Sequence, residues 1–138
     1  MHQKKRLAAF LLLIVMNLPD VLAAGDVGWI RNMPNAVVKD QVYRLNIQRI
    51  NGKNPMPSHR YTVAAGEATI RVSLILEALW TPKLRGIQND IWMKQFKMNV
   101  EAGTTYIIGG KVNPDASREE QQSGNFWHPV IYKKYKDG

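Results

Sequence analysis

Residues 61–72 read Tyr61-Thr-Val-Ala-Ala-Gly-Glu-Ala-Thr-Ile-Arg-Val72, and residues 98–108 read Met98-Asn-Val-Glu-Ala-Gly-Thr-Thr-Tyr-Ile-Ile108. Val63, Ala65, Gly66 and Ile70 recur as Val100, Ala102, Gly103 and Ile107, all at one offset. In both copies an apolar-alternating run meets a short Ala-Gly turn, and a second alternating run follows. Alternation with period two is the pattern of strands with one buried face. Each copy is therefore expected to be a β-hairpin. Gly66 and Gly103 are expected to take the left-handed conformation that closes a type I turn with a bulge, which a Cβ disfavours.

The same pattern extends outward. Ala68, Ile70, Val72, Leu74 and Leu76 share one face, with Thr69, Arg71, Ser73 and Glu77 on the other. A helix over residues 68–80 competes, but five even positions in register select a strand. Trp92, Phe96, Met98 and Val100 share a parity, with Lys94 between them, and Tyr106 to Val112 forms the return strand. Gly109-Gly110 is expected to mark a bulge or bend near its end. Upstream, Tyr43, Leu45 and Ile47 alternate with Arg44, Asn46 and Gln48 in one strand over 42–50. Asn51-Gly52 then turns the chain, and Pro55 and Pro57 keep the next loop irregular. Val27, Trp29 and Ile30 start a first strand, Met33-Pro34-Asn35 is a turn, and Ala36-Val37-Val38 is a short strand. Residues 113–125 read as a long polar, mobile loop. Trp127 to Tyr135 closes the domain on an edge strand, since Pro129 cannot donate to a ladder. The basic tail Lys133, Lys134 and Lys136 is expected to fray. The sum is an all-β chain of six or seven strands without a helix after the leader. It is expected to form an antiparallel β-sandwich, Ig-like or transthyretin-like, because each hairpin has one apolar and one wet face.

The first residues carry an address. Lys4, Lys5 and Arg6 precede an apolar run from Leu7 to Leu18 broken only by Asn17. Pro19 then ends a helix, and Val21-Leu22-Ala23-Ala24 supplies small residues for cleavage. This is the three-part layout of a secretory signal peptide, and the run is shorter than the roughly 20 apolar residues a bilayer span needs. The expected division is a signal peptide at 1–24 and one β-sandwich domain at 25–138, in the periplasm or secreted, with no transmembrane segment after cleavage. With no cysteine, the exported domain relies on hydrophobic burial rather than disulfides. It also lacks a thiol nucleophile and a thiolate metal site.

The chain carries 19 Lys and Arg against 11 Asp and Glu. Without Lys4, Lys5, Arg6 and Asp20 the balance is 16 to 10, a net charge of about +6. Such a domain is drawn to anions, which in an envelope are lipid phosphates, anionic polysaccharide or acidic proteins, although net charge serves solubility as readily. Nucleic acid is a poor candidate and is not expected as a partner, because the export signal removes the chain from it.

Residues Ala65, Gly66, Ile70 and Val72, followed by Val100, Ala102, Gly103 and Tyr106, carry a resemblance. The order of Gly-x-x-x-Ile-x-Val and then Val-x-Ala-Gly-x-x-Tyr resembles PEGA-like domains and related bacterial envelope domains, over about the middle half of the exported chain. The Pro-Glu-Gly-Ala tetrapeptide itself is replaced by Ala64-Ala65-Gly66-Glu67. The resemblance implies a β-sandwich of accessory or binding type, with no catalytic residues to carry over.

Chemistry-bearing residues are sparse. His59 and His128 are the only histidines after the leader and have no metal spacing. There is no Gly-x-Ser-x-Gly, and nothing marks a pair of carboxylates. No enzyme activity, metal or cofactor is expected. The aromatics are the stronger lead: Trp80 enters a basic loop with Lys83 and Arg85, and Trp127-His128 leaves the acidic loop that holds Arg118. An exposed Trp beside a cation can stack on a sugar or seat in a partner's pocket, while a Trp plugging the end of the core is the ordinary alternative. Trp80, Lys83, Arg85, Arg118, Trp127 and His128 are thus the candidate interaction residues. The expected function is a non-enzymatic accessory or protein-interaction module of the bacterial cell envelope. A binding module for anionic glycan or lipid headgroups is the alternative, and a small hydrolase the third.

Overall fold

The computed structural model describes residues 26–75 and 93–136. The leader, Leu76, Trp80, Lys83, Arg85 and Trp92 lie outside these residues. Eight strands are described: β1 (Val27–Asn32), β2 (Val42–Tyr43), β3 (Leu45–Ile50), β4 (Tyr61–Ala64), β5 (Gly66–Leu74), β6 (Met93–Val100), β7 (Thr104–Val112) and β8 (Trp127–Lys136). One short helix, α1 (Arg118–Ser123), joins them. Among the described residues no helix is long and apolar enough to cross a membrane. The all-β class holds, but the sheets are not both antiparallel. In the five-stranded sheet β1 runs parallel to β7, with Trp29 opposite Thr105. β1 and β2 share one side of β7, β8 takes the other, and β4 pairs with β1. The second sheet is β3–β5–β6, antiparallel throughout.

The two Ala-Gly stretches are not hairpins. β4 lies in the five-stranded sheet and β5 in the three-stranded one, while β6 and β7 repeat the arrangement. Each stretch carries the chain from one sheet to the other. Alternation decides which side chains turn inward, and a chain that changes sheets keeps its apolar row aimed at the same interior, so both layouts share one pattern. Of the backbone expectation the positive φ holds, 117° at Gly66 and 69° at Gly103, while the bulged hairpin turn does not, because the strands on either side of each glycine lie in different sheets. Both crossings dock on the start of β1: Ala65 N–H donates to the Asp26 carbonyl at 2.8 Å, and Gly103 N–H to the Val27 carbonyl at 2.7 Å. Tyr106, buried, clamps the second crossing; its hydroxyl donates to the Asn99 carbonyl and accepts from Glu101 N–H at 2.8 Å.

The strand expected over 42–50 is also divided, because the chain changes sheets at Arg44. Tyr43 and Leu45 both remain buried across the break. Asn32 bridges it. Its Nδ2 donates to the Leu45 carbonyl, and its Oδ1 accepts from Leu45 N–H at 3.1 Å, so one side-chain amide stands in for a neighbouring strand. Asn32→Ala strands both Leu45 groups in a partly buried position. Unmade hydrogen bonds of this kind cost about 1–3 kcal/mol, and a loss of about 2 kcal/mol is expected in urea unfolding.

One buried cluster draws on both sheets: Ile30, Tyr43, Tyr106, Ile108 and Trp127 from the larger, and Leu45, Ile70, Val72 and Val100 from the smaller. Each fully buried aliphatic there contributes about 1.5–3 kcal/mol. The even row of β5 (Ala68, Ile70, Val72, Leu74) is buried as its alternation requires.

Four smaller expectations change. Ala36–Val38 is not a strand: Val37 bridges Val42, and a 3-10 turn follows at Val38–Asp40. The 113–125 segment contains α1, started by a capping box in which Ser117 and Glu120 bond each other's backbone N–H; these bonds, the backbone one first, hold the Glu120 carboxyl below its ordinary range. Gly109 and Gly110 do not bend β7. They admit close neighbours, since a Cβ on Gly110 would lie 2.5 Å from Leu74 Cδ1. The irregularity is in the partner strand, where Tyr132 is the extra residue between Ile131 and Lys133. Finally, Lys133, Lys134 and Lys136 do not fray; each belongs to β8, and Lys136 is in register with Thr104.

Candidate ligand-binding face

The five-stranded sheet turns one face to the core; on the other, the open face, Thr62, Ala64, Lys111, His128, Lys133 and Tyr135 are exposed, Trp29, Arg31 and Ile107 are half-buried, and Val27, Val42 and Thr105 are buried. Register places Thr62, Trp29, Thr105 and Tyr135 in one row across β4, β1, β7 and β8, and Arg31, Ile107 and Lys133 in the next. Trp29 and Arg31 reach this face because Ile30 between them is fully buried, and side chains of a strand alternate. Thr105, also fully buried, is flanked in its row by Trp29 and Tyr135.

Cations accompany each aromatic. The Arg60 guanidinium lies 4.4 Å from the centre of the Trp29 ring. Arg31 Nη1 donates to the Tyr135 hydroxyl at 3.2 Å. Lys133 Nζ lies 5.7 Å from the Tyr132 ring centre. Val27, Trp29, Arg31, Val42, Thr62, Ala64, Thr105, Ile107, Gly109, Lys111, His128, Val130, Lys133 and Tyr135 occupy this face's strand positions, none of them a carboxylate; the Asp40 carboxylate, bonded to Tyr132, borders it. Flat aromatic surface beside fixed positive charge suits a ligand with both apolar C–H faces and anionic groups.

Among the described residues, hollows adjoin the sheet in three places. One of about 490 Å³ lies between the 51–60 loop and β4, lined by Lys53, Asn54, Ser58, Arg60 and Tyr61 among others. One of about 320 Å³ is lined by Met33, Pro34, Ile107, Tyr132 and Lys133. The third, about 400 Å³, includes Gln41, Lys111, Asn113, Phe126 and His128. Beside the second, the Tyr132 hydroxyl donates to Asp40 Oδ2 at 2.8 Å. That hydrogen bond, then desolvation and the Asp40 charge, raise the Tyr132 pKa above the ordinary tyrosine value. A raised folded pKa favours the folded state below the ordinary tyrosine range, and the gain is lost as pH rises through the folded value. In an alkaline ultraviolet titration, Asp40→Ala should therefore move one tyrosine to lower pH, and Tyr132→Phe should delete that same transition.

The candidates read from the sequence divide. Trp80, Lys83 and Arg85 lie outside the described residues. Trp127 is 1% exposed and is not a surface stacking residue. It opens β8 on the core side opposite Val112, where Lys94 Nζ donates to its carbonyl and lies 5.1 Å from the centre of its ring. Burial there pushes the Lys94 ammonium below the ordinary lysine range. His128 is exposed, paired in register with Lys111 on the open face, and lines the 400 Å³ hollow. Arg118 is exposed at the first position of α1 and does not line that hollow. Sequence reasoning missed Arg31, Arg60 and Tyr135 and read Lys133 only as part of a tail. The parity of Trp29 and Arg31 about Ile30 was the available signal. Among the described residues no three His, Cys, Asp or Glu side chains are grouped as metal ligands would be.

No protein-family model matches the chain, and comparison with curated proteins and with solved structures returns no match.

Proposed function

We propose that this chain is an exported, non-catalytic accessory domain of the bacterial envelope that binds an anionic glycan on the open face of its larger sheet. In this reading the two sheets form a sandwich of the Ig-like or transthyretin-like kind, processed after residue 23 or 24 and akin to the PEGA-like domains it resembles. The observation that carries the reading is the row of Trp29 and Tyr135 with Arg60, Arg31 and Lys133 beside them, on a face whose strand positions hold no acid. Aromatic rings stack on sugar C–H faces while the guanidinium groups pair with carboxylate or phosphate.

A protein partner added along a sheet edge fits less well. β8 is the long edge of the larger sheet, and it carries Pro129, a bulge at Tyr132 and three lysines, the devices that block strand addition. A protein partner remains the second reading on account of Met56, 84% exposed between Pro55 and Pro57, where an apolar side chain could seat in a pocket.

The test is equilibrium binding of the protein, purified as exported, to polygalacturonate, a glycerol-phosphate polymer, neutral dextran and anionic vesicles. The anionic polymers should bind and dextran should not. Affinity should fall by about tenfold or more between ~0.01 M and ~0.3 M salt, as the screening length shrinks from about 30 Å to below about 8 Å. Binding to vesicles alone would sink the glycan reading in favour of lipid headgroups.

A further inference from the structure

The 490 Å³ hollow beside the 51–60 loop borders the open face, since Thr62 and Ala64 of that face line it. Arg60 lines it and also lies over Trp29 at the edge of the aromatic row. Its volume falls within the range of small-molecule pockets, about 300–1,000 Å³. Among the described residues that line it there is no Asp or Glu. No Asp or Glu occurs from Gln41 to Gly66, while Arg44, Arg49, Lys53 and Arg60 do, and Lys53 and Arg60 both line the hollow with Asn54, Ser58 and Tyr61.

The loop is also held in shape. Asn51 and Gly52, with φ of 51° and 79°, form a two-residue turn closed by paired Ile50–Lys53 backbone bonds of 2.9 and 3.0 Å. The Asn51 side chain accepts from Thr69 N–H at 2.9 Å, which ties the turn to β5. Ser58 Oγ donates to the Arg60 carbonyl at 2.8 Å, and Pro55 and Pro57 restrict the chain between. A cavity whose walls are already ordered loses little entropy when it is filled.

We propose that this hollow is the specificity subsite of the glycan face and takes a single anionic sugar residue. The charged group sits at Lys53 and Arg60, and the ring hydroxyls are read by Asn54 and Ser58. The inference rests on the glycan reading above and deepens it, because the open face grips the polymer while the hollow selects which charged sugar it carries. A polymer lying over Trp29 reaches the hollow at its next position, since Arg60 borders both.

The experiment is calorimetric titration of the exported protein, and of its Lys53→Glu and Asn54→Ala variants, with trigalacturonate, neutral galactotriose and inorganic phosphate. Both substituted residues are exposed, and thermal melts check that the fold is kept. Trigalacturonate should bind saturably to the unaltered protein, with galactotriose at least about tenfold weaker, the factor expected for one charge-assisted hydrogen bond. Lys53→Glu should weaken trigalacturonate by about tenfold or more, and Asn54→Ala by a few-fold, and both should weaken the polymer by a smaller factor, since Trp29 and Arg31 still hold it. Unchanged trigalacturonate affinity in both variants, with the unaltered protein binding the polymer, overturns the subsite and leaves the face reading standing. Loss of polymer binding in the unaltered protein overturns both. Inorganic phosphate competing as well as trigalacturonate shows a bare anion site and overturns the sugar subsite.

Discussion

Gly28→Ala is expected to be the most damaging single-methyl change in the domain, lowering stability by about 3 kcal/mol, the upper end of what overpacking usually costs. A Cβ at this position would lie 2.6 Å from Val100 Cγ1, 2.8 Å from the Glu101 carbonyl and 2.9 Å from the Thr104 carbonyl. The last two are backbone atoms of the second crossing and cannot rotate away. They are also held, because Gly103 N–H is bonded to Val27 and Tyr106 clamps Glu101. Relief must come from moving β1, which is paired on one side with β4 and on the other with β7. Gly103→Ala supplies the contrast: nothing lies within 4 Å of a Cβ there, and only its φ of 69° opposes substitution, at about 1 kcal/mol. Urea unfolding of the two variants should separate them by about 2 kcal/mol on these figures. Equal midpoints would mean that the start of β1 is not the junction described.

Trp29→Ala should have the largest effect on function, weakening anionic polymer by about thirtyfold, or about 2 kcal/mol, as for a central aromatic anchor. Two losses coincide. The stacking surface disappears, and Arg60 loses the ring that fixes its guanidinium. Trp29→Phe should recover part of the affinity, since a smaller ring still supports both. Arg31→Ala should cost only a few-fold, as a charge at the rim of the row, and should flatten the salt dependence slightly. Surface plasmon resonance across a salt series reads all three. If Trp29→Ala binds as the parent does, with an unchanged circular dichroism spectrum, the open face is not the glycan site.

What could be read from the residues was the inside and outside of each strand. The rows Ala68–Ile70–Val72–Leu74 and Met98–Val100 are buried as their alternation requires. What could not be read was the partner of each strand. Ala65-Gly66 has the same local chemistry whether the chain folds back beside itself or crosses to the facing sheet, and only the docking of the turn onto Asp26, some 39 residues upstream of it, decides between them. Arg44 shows the same limit, because Tyr43 and Leu45 keep one parity through a change of sheet. α1 was legible and overlooked: Ser117 followed three residues later by Glu120 is a helix start.

The aromatic-cation pairs of the sheet were hidden from the sequence for a related reason, while Trp80, Lys83 and Arg85 lie outside the described residues. Trp80 with Lys83 and Arg85 stands out because those residues are close in sequence, whereas the sheet assembles its aromatic-cation pairs from distant positions. Trp29 meets Arg60, and Arg31 meets Tyr135 across 104 residues. Trp127 looked available beside a polar segment, but its parity opposite Val112 commits it to the core.

The position of β1 sets the order in which the molecule can be built. Its parallel neighbour β7 begins at Thr104, so the first strand made waits for nearly the whole chain before it has both partners. Contacts of such long sequence separation slow folding to about the millisecond-to-second range. A nascent polypeptide of this design cannot close its larger sheet until β7 has been made, and the arrival of β8 then covers the far side of β7.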